Sequence, residues 1–177
     1  MNPFELRESL ENITLLVDTR EQPTKRLQDR IENTGLFYKR KKLDVGDYSC
    51  ECKLPSGEVI DFSNKVVIER KMNLDELCLC FGRERKRFER EFERAKEKQC
   101  KVYLLVENAS WEKAYNGKYR SLLTPNALIA SLNAFRVRYG MQIDFCKEET
   151  TGKLIRDILY RELKEYLEKN YNKEGQQ

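Results

Sequence analysis

The chain has 177 residues, enough for one domain with a proper core, and 36% of them are charged against 40% apolar, a wet but globular composition. Net charge is only +4, so charge alone does not demand a general polyanion binder, although Lys39-Arg40-Lys41-Lys42 and the run Arg83 to Arg90 concentrate cations locally. Histidine is absent, which excludes Ser-His-Asp and Cys-His nucleophilic sites, HNH-type nucleases and C₂H₂ fingers; a general base must be a carboxylate, a lysine or a metal-bound hydroxide.

Residues 1–11 are polar and read as a short helix or a loose arm. Ile13 to Val17 is an apolar run closing on Asp18, the pattern of a central strand. Pro23 fits a first helical position, Leu27 and Ile31 make a stripe four apart, and Gly35 ends that helix in the left-handed conformation. Phe37 to Leu43 and Val45 to Lys53 read as an antiparallel pair. Pro55-Ser56-Gly57 turns into Val59 to Phe62, and Lys65 to Arg70 forms the next strand. Asn73 caps a helical segment that runs to Gln99 with a break near Gly82. Lys101 to Val106 is a further apolar strand, and Thr124-Pro125 opens a helix carrying Leu128, Ile129, Leu132 and Phe135. Gln142 to Cys146 is a last strand, Thr151 to Asn170 a long amphipathic helix with Leu154, Ile158, Leu159, Leu163 and Leu167, and Asn172 to Gln177 a tail expected to be disordered.

This order predicts an α/β sandwich over residues 12–170: a mixed central sheet flanked by helices on both faces. No apolar run approaches the ~20 residues that span a membrane, and no signal-peptide pattern opens the chain. Cys50, Cys52, Cys78, Cys80, Cys100 and Cys146 therefore read as free thiols of a reduced, intracellular protein, in the cytoplasm, the nucleoid or the nucleus. The two C-x-C pairs invite zinc, but structural sites use wider knuckles.

The chemistry gathers at two places, Gly46-Asp47 and Glu69-Arg70-Lys71 with Asp75 beyond it. Side chains alternate faces in a strand, so Glu69 and Lys71 point to one side and Arg70 to the other. A carboxylate and an ammonium thus lie side by side at a strand end, with Asp47 available from a neighbouring strand. Carboxylates gathered this way favour a hard divalent cation such as Mg²⁺. A lysine beside them stabilises charge building on a phosphate or on a metal-bound water. The combination points to a nuclease. Each residue has a plainer reading as well: Asp47 as a turn aspartate, Glu69 and Lys71 as a surface ion pair, Asp18 as an N-cap, Asp75 as a complement to the positive end of its helix. Lys39 to Lys42 either lines a DNA groove or solubilises an edge strand. Trp111, Tyr115 and Tyr119 read as packing before base stacking.

Gly46-Asp47…Glu69-Arg70-Lys71-x-x-x-Asp75 resembles the GD-x(n)-ERK-x(3)-D signature of the XPF-type nuclease domain, a branch of the PD-(D/E)XK superfamily. Val17-Asp18-Thr19-Arg20-Glu21 is similar to the V-D-x-R-E segment that opens that domain. Asp75-Glu76-Leu77, Phe81-Gly82-Arg83 and Arg87-Phe88 are more loosely similar to the helical stretch that follows its motif. The resemblance covers residues 12 to 165 and implies a restriction-endonuclease-like fold. It implies a DNA endonuclease that holds Mg²⁺ or Mn²⁺ with Asp18, Asp47 and Glu69, while Lys71 orients the attacking water or stabilises the transition state. Asp75 would be a supporting or metal-facing carboxylate. Arg20 and Glu21 would contact phosphate or support the site, Arg70 would brace it by pairing with an acid, and Arg83 would contact DNA.

The resemblance further implies a preference for branched DNA: flaps, forks or junctions. Family members usually carry a tandem helix-hairpin-helix module after this domain, and no such hairpins are legible after residue 150. A homodimer through the last helices, or a helper subunit, is expected to supply the missing grip. Two rivals stand beside this reading, a non-catalytic DNA-binding or dimerisation subunit on the same fold and a sequence- or damage-directed PD-(D/E)XK endonuclease. Inactive relatives lose the acidic and lysine positions, whereas Asp18, Asp47, Glu69, Lys71 and Asp75 all stand in this chain.

Overall fold

The computed structural model describes residues 1–171. Its strands are β1 (Ile13–Val17), β2 (Phe37–Arg40), β3 (Tyr48–Lys53), β4 (Val59–Asp61), β5 (Val66–Lys71), β6 (Lys101–Glu107) and β7 (Gln142–Cys146). Its helices are α1 (Pro3–Glu11), α2 (Lys25–Thr34), α3 (Leu74–Phe81), α4 (Arg85–Glu97), α5 (Trp111–Tyr115), α6 (Pro125–Tyr139) and α7 (Glu148–Tyr171). The strands form one mixed sheet in the order β2-β1-β3-β5-β6-β7, with β4 paired to β3. β5, β6 and β7 run parallel to one another, as do β1 and β2, while β3 is antiparallel to β1, β4 and β5.

Alternation along β5 and β6 divides the core in two. Val67, Val102, Leu104 and Val106 face α3, α4 and α6, where Leu77, Phe88, Phe92, Leu132 and Phe135 cover them. Val66, Ile68 and Leu105 face α2 and α7, under Leu27, Ile31, Ile155, Leu159 and Leu163. A sheet with both faces apolar must be covered on both, and the result is a restriction-endonuclease-like α/β sandwich. The apolar stripes of α6 and α7 are thus buried within the chain, with Leu154 and Ile158 only partly so.

Two local expectations change. The segments 37–43 and 45–53 do not pair with each other. β1 lies between them, with Leu15 opposite Tyr38 on one side and Cys50 on the other. The chain leaves β1 through α2 and lays β2 parallel beside it as a β-α-β unit, so the apolar β1 is buried and the charged β2 becomes a fully exposed edge. Pro23 stands ahead of α2 rather than in it. Thr24 is the N-cap and accepts the Leu27 N–H at 3.2 Å, a bond that proline cannot provide. The helix end at Gly35, the cap at Asn73 and the break between α3 and α4 lie where the sequence put them. The expected polar arm is helical as α1, closed by an Asn2/Glu5 capping box, and the Met1 amino group donates to the Tyr171 carbonyl at 2.6 Å. The 172–177 tail lies outside the described residues. Among the described residues no helix is long and apolar enough to cross a membrane.

Candidate active site

The site forms where β1 and β5 end and the chain enters β3. Gly46 makes it possible. Its φ is +75°, and a Cβ there would stand 2.9 Å from the Val67 Cβ and 3.1 Å from the Ile68 carbonyl oxygen. Only glycine lets the loop lie this close to β5. Asp47 is then stitched between two strands: its N–H donates to the Ile68 carbonyl and its carbonyl accepts the Asp18 N–H, both at 2.8 Å. Its side chain turns to the end of β5, where Oδ2 accepts the Arg70 N–H at 2.8 Å.

Glu69 and Lys71 share one face of β5, 7% and 8% exposed, and the Lys71 ammonium donates to Glu69 Oε1. Lys71 Nζ also lies 4.0 Å from Glu76 Oε1 and 5.5 Å from the Phe88 ring centre. Asp47 Oδ1 and Glu69 Oε2 accept no hydrogen bond from the described residues. Burial, and then the charge of Glu69, raise the Asp47 carboxyl well above the usual range. Burial works against the Lys71 ammonium, but Glu69 and Asp47 more than offset it and hold the group protonated. The Glu91 carboxyl on α4 is raised by burial and then by the charge of Glu69. Negative charge is therefore in local excess around a single lysine.

The other expected residues take different stations. Asp18 is buried, and both its oxygens are engaged: Oδ1 accepts the N–H and Nε of Arg20 at 2.7 Å each, and Oδ2 the Leu43 N–H at 2.6 Å. Burial would raise this carboxyl, but those bonds bring it below the ordinary value. Asp18 is thereby held by Arg20 and the Leu43 amide beside Asp47, whose carbonyl accepts its N–H. Among the described residues no three acidic or thiol side chains converge as a metal cluster. The Arg20 guanidinium remains half-exposed beside the site. Asp75 joins no ion pair with Lys71 and accepts the Arg120 N–H at 2.5 Å. Arg83 is exposed between α3 and α4, in no ion pair among the described residues.

Arg70 points to the opposite face, as alternation requires, and pairs there with an acid: Nη1 lies 3.1 Å from Glu107 Oε2. Arg30, delivered by α2, donates to Glu107 Oε1 at 3.3 Å and to the Tyr48 hydroxyl at 3.0 Å, and that hydroxyl donates to Glu21 Oε2 at 2.9 Å. Glu21 thus stands at the margin, close enough to add to the raised Asp47 carboxyl. Sequence reasoning missed Arg30, Tyr48, Glu107 and Glu91. Glu107 closes an apolar strand as Glu69 does, and Arg30 interrupts the Leu27/Ile31/Thr34 stripe; both were visible signals.

The cationic run at the sheet edge is mostly committed. Lys39 pairs with Glu51 at 2.6 Å, Lys41 pairs with Asp61, and Arg40 donates to the Thr19 and Glu21 carbonyls. Trp111 packs edge-on against Phe145, with ring centres 5.0 Å apart, which is the packing reading.

Comparison with known proteins gives the same picture. The sequence model of the ERCC4 domain matches residues 17–158. Among solved structures the chain is similar to XPF from Aeropyrum pernix, with a TM-score of 0.60 and 21% identity, covering 84% of this chain and 61% of that one. It is also similar to XPF from Aeropyrum pernix in complex with DNA, with a TM-score of 0.58 and 21% identity, covering 86% of this chain and 66% of that one. The chain therefore spans less than two thirds of the length of either, and at this identity the likeness is one of fold. Comparison with curated protein sequences gives no match. The matched segment runs from Val17 through β5 to α7 and contains every residue of the site, and the chain belongs to the ERCC4 domain family.

Proposed function

We propose that the protein is a divalent-metal-dependent DNA endonuclease, with Asp47 and Glu69 as its metal ligands and Lys71 as the cation at the scissile phosphate. The observation that carries this reading is the pair of neighbouring carboxylates, one raised partly by the other's charge and each with an oxygen left free. Such a pair fits Mg²⁺ or Mn²⁺, which take one or two carboxylates and fill the remaining positions with water and substrate phosphate. When bound, the ion would neutralise phosphate charge and acidify a coordinated water.

The chain's own residues do the rest. The Arg70 N–H fixes Asp47 Oδ2 and leaves Oδ1 without a partner among the described residues. Lys71, kept charged by Glu69 and Asp47, can release its hydrogen bond to Glu69 and stabilise charge on a non-bridging phosphate oxygen. Asp18 holds Arg20 by Nε and the Leu43 carbonyl accepts its Nη2 at 3.2 Å, so Nη1 of that half-exposed guanidinium is the group left to meet a neighbouring phosphate. Branched DNA is the proposed substrate, and a second copy or a helper subunit is the proposed partner. The α6 and α7 stripes do not themselves argue for a dimer, since the chain buries them.

The test is incision of labelled 3′-flap, fork and plain duplex DNA with Mg²⁺, Mn²⁺ or EDTA, beside Asp47→Ala. Metal-dependent cutting near the branch, lost in the variant, is the expected result. Folded protein that cuts none of these substrates would favour the non-catalytic DNA-binding reading, and equal cutting of plain duplex would favour a sequence- or damage-directed enzyme.

A further inference from the structure

The aspartate that closes the motif holds a loop. Asp75 Oδ1, in the first turn of α3, accepts the Arg120 N–H at 2.5 Å. The Tyr119 hydroxyl donates to the Leu123 carbonyl at 2.8 Å, and Ser121 Oγ accepts the Leu123 N–H at 3.1 Å. One bond to α3 and two within the loop thus hold five residues, Tyr119 to Leu123. Tyr119 and Leu123 pack against the core beneath. Leu122, between them, is 100% exposed. The loop buries one leucine and is fixed with the next one pointing out, so it forgoes the burial that a leucine ordinarily gains.

The surroundings of that leucine select a partner. Lys118 and Arg120 are exposed and join no ion pair among the described residues, whereas Lys39 and Lys41 at the β2 edge are paired. An apolar tip flanked by two free cations complements a polyanion that also offers an apolar step. The loop also stands beside the site. Asp75, which holds it, adjoins Glu76, whose Oε1 lies 4.0 Å from Lys71 Nζ. Asp75 and Glu76 both belong to the first turn of α3.

We propose that residues 118–123 form a DNA-engaging loop: Lys118 and Arg120 contact phosphates, and Leu122 packs against the terminal base pair where duplex meets single strand. The motif aspartate would then be a positioning residue for the substrate rather than for the metal. This inference deepens the nuclease reading and rests on it.

The test uses the full chain and a fork carrying 2-aminopurine at the junction pair, in EDTA so that cutting does not intervene. Wild-type protein should raise the 2-aminopurine fluorescence by unstacking that base. Leu122→Ser should lose most of the rise while fork affinity by anisotropy changes less than about threefold. Lys118→Ala with Arg120→Ala should weaken fork binding about tenfold and flatten its salt dependence. In Mg²⁺, Leu122→Ser should scatter the cut position. Unchanged junction fluorescence in Leu122→Ser, or no fork binding by the wild type, overturns the proposal. A dimer that Leu122→Ser converts to monomer, with the fluorescence rise intact, also overturns it and assigns the leucine to contact between copies. Junction unstacking without incision would leave the loop standing and remove the nuclease; incision indifferent to Leu122 would do the reverse.

Discussion

Replacing Gly46 by alanine perturbs the one backbone position on which the carboxylate pair depends. A non-glycine residue at φ +75° costs about 1–2 kcal/mol. The added methyl would meet the Val67 Cβ at 2.9 Å and the Ile68 carbonyl oxygen at 3.1 Å. Neither atom is the free end of a flexible side chain, so the loop or β5 must shift, as in an overpacked core, for roughly 1–3 kcal/mol more. The sum, about 2–5 kcal/mol, corresponds to a fall in melting temperature of roughly 4–20 °C at about 2–4 °C per kcal/mol for a domain of this size. The shift also moves Asp47 against the Ile68 carbonyl and the Arg70 N–H, the bonds that aim its carboxylate. Thermal melts by circular dichroism, with cleavage assayed well below both midpoints, measure the two effects separately. A melt lowered by less than about 2 °C together with wild-type cutting would refute the reasoning.

Lys71→Ala should cut single-turnover rate about 10²–10³-fold while DNA affinity changes less than threefold, since the ammonium acts on charge that develops in the transition state; equal losses of both would count against that role. Asp47→Asn should abolish cutting yet stabilise the metal-free fold at neutral pH. The Asp47 carboxyl is raised in the fold by burial and the charge of Glu69, so its contribution to stability is full below the unfolded value of 3.8 and is lost as pH rises through the elevated folded one. The melting gap between variant and wild type in EDTA should therefore widen from pH 4 towards neutrality, and a variant less stable at neutral pH would contradict this. Asp18→Asn has the opposite sign. That carboxyl is depressed by its bonds to Arg20 and Leu43 against the effect of burial, so its contribution is present above the unfolded value and lost as pH falls through the depressed one. The cost at neutral pH should be roughly 1.5–3 kcal/mol, with Mn²⁺ affinity by electron paramagnetic resonance changed little; a tenfold loss of affinity would restore Asp18 to the metal.

Where the sequence was informative, a short-range rule decided the outcome. Arg70 faces away from Glu69 and Lys71 because strand side chains alternate, and it meets an acid there because a buried guanidinium needs one. Asn73 and Thr124 cap their helices through bonds to amides three residues on, so both were readable in place. What stayed hidden depends on contacts distant in the chain. The Leu43 amide reaches Asp18 across 25 positions, and the Arg120 amide reaches Asp75 across 45. No local pattern reports that a carboxylate is already occupied. The place of β1 between β2 and β3 belongs to the same class, since the crossover through α2 sets it.

The charged end of β5 also acts on how the chain finds its alignment. Glu69 and Lys71 belong with Asp47 on one side of the sheet, and Arg70 with Glu107 on the other. A slip of one residue would exchange the sides. Glu69 and Lys71 would then leave Asp47, and Arg70 would lose Glu107, so both pairings hold in one register only. The three consecutive charges therefore tie the pairing register of β5 to the placement of the proposed metal ligands, and a chain that completes folding has already set Asp47, Glu69 and Lys71 on one side.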